Sequence, residues 1–267
     1  MNIGVWTARK MDKKAAAQVD ATNNTKVKAG NYNKKLLPCA KALENLQSVA
    51  SNIRLWHYEN TLPWDDNGGR LLPMANFFDY KALLAGFQTQ FNDACDAFYN
   101  EYSTLVSAAA FTLSGLFDAD DYPHIDDIRR KNYFRVTFSP VPASGDFRVD
   151  IGEQGKRELG EELERVHQER LNGAMKDMWE RLHECLQHMS DKLAGEEKQI
   201  FRDSLVTNAI ELCGVLTKLN IANDPKLESA RKELEKAMVG LNANDLRKDN
   251  ALRLDTKARV DAILSMM

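Results

Sequence analysis

At 267 residues the chain is long enough to bury a substantial core, as one large domain or two modest ones. Hydrophobic and charged residues make up 43% and 28% of it, close to globular averages, but 14 Gly and 7 Pro are few for a loop-rich or all-β chain. The formal charge of −3 conceals a lopsided distribution. Within residues 1–35, Arg9, Lys10, Lys13, Lys14, Lys26, Lys28, Lys34 and Lys35 stand against Asp12 and Asp20, so this stretch carries about +6 and the remainder about −9.

The chain opens on Ile3, Val5 and Thr7 alternating with Trp6, the pattern of a short strand. Residues 1–34 therefore read as a basic arm with one strand, partly irregular over residues 19–33, ahead of a helical body at 35–267. A solvated, solubilising tail is the plain reading of the arm. The alternative is an anion-binding arm, with Arg9, Lys10, Lys13, Lys14, Lys26 and Lys28 meeting nucleic acid weakly and without sequence preference.

From residue 35, Leu36, Cys39, Leu43, Leu46, Ala50 and Ile53 recur at alternating spacings of three and four, which predicts a helix to about Tyr58. It ends in TLPWDDNGGRLLP, where two prolines and an Asp-Asn-Gly-Gly turn forbid continuation. Phe77, Leu84, Phe91, Phe98 and Leu105 then recur every seventh residue, accompanied by Tyr80, Phe87, Ala94 and Tyr102. That repeat predicts a helix over residues 76–117, about 60 Å long, packed lengthwise on another as in a coiled coil. A stripe of that length suits a homo-oligomer. Beyond an acidic connector, Phe134, Val136 and Phe138, then Phe147, Val149 and Ile151, alternate with polar residues. They predict an antiparallel hairpin at about residues 133–151, which the N-terminal strand extends to three strands.

A second long helix is expected from near Glu153 to Gly195, and a third, apolar on two sides and hence central, from Glu196 to about Leu219. Asp224-Pro225 is an N-cap followed by a first-turn proline, and Leu246, Leu254, Ala258 and Ile263 mark a last helix. The fold class expected is mainly α, with long amphipathic helices and a small β insertion between two of them.

Candidate chemistry is sparse. His183 and His188 lie five residues apart, about 140° round a helix, so they miss the one-turn spacing of a helical zinc pair. Asp118, Asp120, Asp121, Asp126 and Asp127 supply oxygen atoms for a cation but lack the glycine and distal glutamate of an EF-hand, so a solvated connector is the better reading. Phosphate-loop, dinucleotide-binding and nucleophile-elbow signatures are missing, and no catalytic residue, cofactor or metal is expected. Four dispersed cysteines point to a reducing compartment, the first residues lack the apolar stretch of a signal peptide, and the most apolar run is too short to cross a bilayer. The cytoplasm is the expected location. The aromatic loop is the most distinctive surface: Trp56, Tyr58, Trp64 and Arg70 are of the types enriched in binding hot spots. The same rings also suit a loop wedged against the long helix, Trp64 packing on Phe77 and Phe78.

The stretches RLWHYENTLPWDDNGGRLLPMANFFDY and YFRVTFSPVPASGDFRVDIGE resemble an uncharacterised family encoded by bacteria and tailed phages. The likeness covers about the first 60% of the chain, and the C-terminal helices match in character alone. Members are often encoded near MoxR-type AAA+ ATPases and von Willebrand factor A-type proteins, which implies a helical accessory role, in a bacterial host's cytoplasm if the gene is a phage's. The family assigns no catalytic residues. The expected function is a non-enzymatic, self-associating scaffold or adaptor. A nucleic-acid-associated protein, an accessory factor of an AAA+ ATPase and an enzyme centred on the acidic connector are the alternatives.

Overall fold

A computed structural model describes residues 1–142, 152–194 and 202–267. The protein is mainly α, with three small two-stranded antiparallel sheets among the described residues. Two compact units make up the chain: Met1–His57 with Lys81–Ser139, and Tyr58–Tyr80 with Pro140–Met267. None of the described helices is long and apolar enough to cross a membrane.

In the first unit the N-terminal residues are folded rather than a free arm. Strand β1 (Asn2–Gly4) pairs with β6 (Tyr133–Arg135), Ile3 lying opposite Phe134, so the N-terminal strand does join the expected sheet. The expected partner, residues 147–151, lies outside the described residues. Strand β2 (Arg9–Met11) pairs with β3 (Asn33–Lys35), and between them Asp12 caps α1 (Lys13–Thr22) by accepting from the Ala15 amide at 3.0 Å. Residues 23–32 are irregular, as their Asn, Lys and Gly content predicts. Helix α2 (Lys41–Glu59) starts six residues later than its apolar spacing suggests. Pro38 and the left-handed Cys39, at φ +63°, fix a turn there and leave Cys39 exposed.

Helix α3 (Phe77–Leu113) matches the seven-residue repeat, but its stripe is covered within the chain. Phe91, Ala94, Phe98 and Tyr102 share one core with Trp6, Leu43, Leu46, Ala50 and Ile53. The Trp6 ring lies 6.2 Å from Phe98 and 5.9 Å from Tyr102, edge-on to the latter. The buried Trp6 amide donates to Asn132 Oδ1 at 2.7 Å, just beyond α4 (Ile125–Lys131). Tyr102 Oη donates to the Pro123 carbonyl and Tyr122 Oη to that of Leu36, so the buried rings keep hydrogen bonds at their polar ends. From Phe87 to Leu105 the stripe expected to meet another chain is therefore covered by the N-terminus and α2. The repeat reports a one-sided burial pattern, which a single-chain core satisfies as well as a coiled coil does.

The second unit opens on β4 (Leu62–Pro63) and β5 (Arg70–Leu71), a small hairpin. Helix α5 (Gly152–Leu193) buries Ala174, Met178, Leu182, Leu186, Met189 and Leu193 on one stripe. Helix α9 (Asn250–Leu264) lies along α5, and α6 (Ser204–Leu219) pairs with α7 (Pro225–Met238). Asp224 caps α7 as its sequence predicts, and its other oxygen accepts from Trp179 Nε1 at 3.1 Å. The second apolar side expected of α6 is divided: Val206 is buried along with Leu205, Ala209, Cys213 and Leu216, whereas Ile210 is exposed. The expected last helix is two, α8 (Ala243–Lys248) and α9, divided where Asp249 ends one and caps the next.

Candidate functional site: an arginine-clamped helix end and a lysine–aspartate cluster

Residues 58–71 form a rigid corner. Asp65 Oδ1 accepts from the amides of Asn67 and Gly69 at 2.9 and 2.7 Å, closing the turn that joins β4 to β5. Gly68 takes φ +83°, and a Cβ at Gly69 would collide with the Asp65 carboxylate, so both glycines are required by the turn. This loop is held by its own hydrogen bonds.

The last carbonyls of a helix have no partner inside it, and here two arginines supply one. Arg70 donates from Nε to Thr61 Oγ1 at 2.7 Å and from Nη2 to the carbonyls of Thr61 and Tyr58 at 2.7 and 3.1 Å. Arg181, from α5, donates to the carbonyls of Glu59, Tyr58 and Thr61 at 2.8, 2.9 and 3.1 Å, and pairs with Asp177 at 2.8 Å. Two cations thus meet the negative end of the helix dipole. Burial and the neighbouring Arg181 charge depress the Arg70 pKa, with Asp177 opposing them. Tyr80, buried nearby, is pushed up to about 12 by burial and remains a neutral phenol.

The four aromatic-loop candidates do not converge. Tyr58 and Arg70 meet, the guanidinium carbon 4.8 Å from the ring centre. Trp56 belongs to the first unit and lies 4.7 Å from the Phe87 ring. Half-buried Trp64 rests against α5, its ring 5.9 Å from His167 and from the Arg170 guanidinium carbon, rather than on Phe77 and Phe78. Asp177 and Arg181 carry the local spacing of a helical ion pair, but nothing in the sequence marks the distant main-chain oxygens that Arg181 binds.

The second constellation joins the acidic connector to the N-terminal strands. Lys34 Nζ lies 2.6 Å from Asp121 Oδ2, 3.3 Å from Asp12 Oδ2 and 2.7 Å from the Leu116 carbonyl, so three donors meet three acceptors. Lys10 holds the other Asp121 oxygen at 2.5 Å. The Lys34 and Asp121 side chains are only 7% and 6% exposed. Burial by itself pushes Asp121 up, but hydrogen bonds from Lys10 and Lys34 outweigh it and hold the carboxyl below its ordinary value. Asp12 is lowered chiefly by the Ala15 amide, and Lys34 is raised because its two carboxylates outweigh its desolvation.

Three of the four remaining connector carboxylates also have partners: Asp118 accepts from the Asp120 amide, Asp126 lies 3.2 Å from His124 Nδ1 and Asp127 pairs with Arg130. Among the described residues no group of three His, Cys, Asp or Glu side chains is placed to share a metal ion. Of the arm's cations, Arg9, Lys13, Lys14, Lys26 and Lys28 are exposed, whereas Lys10 is turned to Asp121. Comparison with protein-family models, characterised proteins and solved structures finds no match.

Proposed function

We propose that this chain is a non-enzymatic interaction protein that associates with a second copy of itself and acts as a scaffold or adaptor. The observation that carries the reading is a pair of large apolar side chains left in water. Met74 and Phe78, four residues apart where α3 begins, are 84% and 79% exposed. Scattered exposed apolar residues are ordinary, but two of this size one helical turn apart offer a ready contact. Burial pushes Cys185 and Cys213 up to about 11, so neither is a nucleophilic thiolate at neutral pH. An AAA+ ATPase, suggested by the resemblance, is a further partner for the same face.

Light scattering after size exclusion is expected to give a mass above one 30.2 kDa chain, and Phe78→Ser to return it to one chain without lowering the melting temperature. A wild-type monomer at every concentration would overturn the reading.

A further inference from the structure

We infer that the ribbon of β2 and β3, with the first turn of α1, is a docking surface for the phosphodiester backbone of nucleic acid. This surface is distinct from the Met74–Phe78 face and independent of self-association. The antiparallel register sets Arg9 opposite Lys35 and Lys10 opposite Lys34. Like charges directly across a ladder disfavour the pairing. Lys10 and Lys34 are compensated by Asp121 and Asp12, but Arg9 and Lys35 have no acidic partner among the described residues. Lys13 and Lys14 stand in the first turn of α1, which contains no acidic residue, where the positive end of the helix dipole opposes a cation. Asp12, the cap of that helix, is already shared with Lys34.

Four exposed cations therefore sit where local electrostatics works against each of them, and a bound polyanion relieves all four at once. Asp121 and Asp12 are taken up by Lys10 and Lys34, so Arg9, Lys13, Lys14 and Lys35 leave the segment strongly basic after its internal pairs are counted. Its neighbours favour nucleic acid over a membrane. Exposed Asn24 and Asn31 offer side-chain amides to phosphate and sugar oxygens, and Lys26 and Lys28 extend the charge. Tyr32, 40% exposed and anchored where its carbonyl accepts from the Asp12 amide at 2.8 Å, offers a ring for base stacking. An interfacial membrane anchor needs a broad apolar face, whereas the large apolar side chains exposed here, Met11, Val19, Val27 and Tyr32, are separated along the sequence by charged and amide residues.

The test is fluorescence anisotropy of the full chain with labelled single-stranded and duplex DNA across a salt series. Wild type is expected to bind at low salt with affinity falling steeply as salt rises, for mixed sequences alike. Joint replacement Arg9→Ala, Lys13→Ala, Lys14→Ala and Lys35→Ala is expected to weaken binding at least tenfold. It should also lower the duplex salt slope by about 3 to 4, at about 0.9 per phosphate neutralised. Its melting temperature should be equal to or above wild type, because opposed like charges are removed; cations with a merely structural role would give a lower one. If that variant misfolds, Lys26→Ala with Lys28→Ala, in irregular exposed chain, should still weaken binding. No DNA binding at low salt, an unchanged slope in the variants, or equal binding to polyglutamate or phosphatidylserine vesicles would overturn the proposal.

Discussion

Lys34→Met is expected to lower the stability of the protein by about 3 kcal/mol, the low end of the cost of breaking a buried ion pair. The methionine keeps the apolar stem but leaves Asp121, a buried carboxylate, with Lys10 as its one cation and strands the Leu116 carbonyl. Urea unfolding at neutral pH measures the loss, and a change within about 0.5 kcal/mol, the ordinary range for surface substitutions, would show that the cluster is solvated. The pH dependence has a defined sign. Asp12 and Asp121 have folded pKa values below the ordinary 3.8, so their contribution is present above that value and is lost as pH falls through the lower folded one. Lys34 has a folded pKa above its ordinary 10.5, so its contribution is complete below that value and is lost as pH rises through the higher one. Wild type should therefore lose stability on the acid side, and Lys34→Met should lose less.

Phe98→Ala should cost about 3–5 kcal/mol, as for other fully buried aromatic side chains. Phe98 is 0% exposed and stacks among Trp6, Tyr99 and Tyr102, so the cavity opens at the junction of the N-terminus with α3. Phe111→Ala on the same helix, where the ring is 88% exposed, is the control and should change stability by less than about 0.5 kcal/mol. A small loss at Phe98 would mean that the stripe is not core. Calorimetry or urea unfolding of the two variants decides it.

The helices were legible because burial leaves a period in the sequence: the bounds of α3, α5 and α7 follow from their apolar spacing and from Asp224-Pro225. What covers each stripe was not legible. Periodicity says that Phe91 and Phe98 are buried and nothing about whether Trp6 or another chain does the burying. The start of α2 was misplaced because the apolar spacing runs on through Pro38 and Cys39, where the backbone leaves the helix. The candidate sites fared worse for a related reason. Arg70 stood out by composition, yet its partners are carbonyl oxygens, which every residue has and no sequence marks. Lys34 looked like one cation of a basic arm, and its burial follows from Asp121, a residue distant in sequence.

The stripe of α3 from Phe91 to Tyr102 is buried within the chain, and the self-association we propose uses Met74 and Phe78 instead. Hydrogen exchange followed by mass spectrometry, at dilute and at concentrated protein, tests both halves at once. Peptides covering residues 74–83 should gain protection as concentration rises, while those covering residues 91–102 should be equally protected throughout. Protection that rises with concentration at residues 91–102, or at neither segment, would contradict the account.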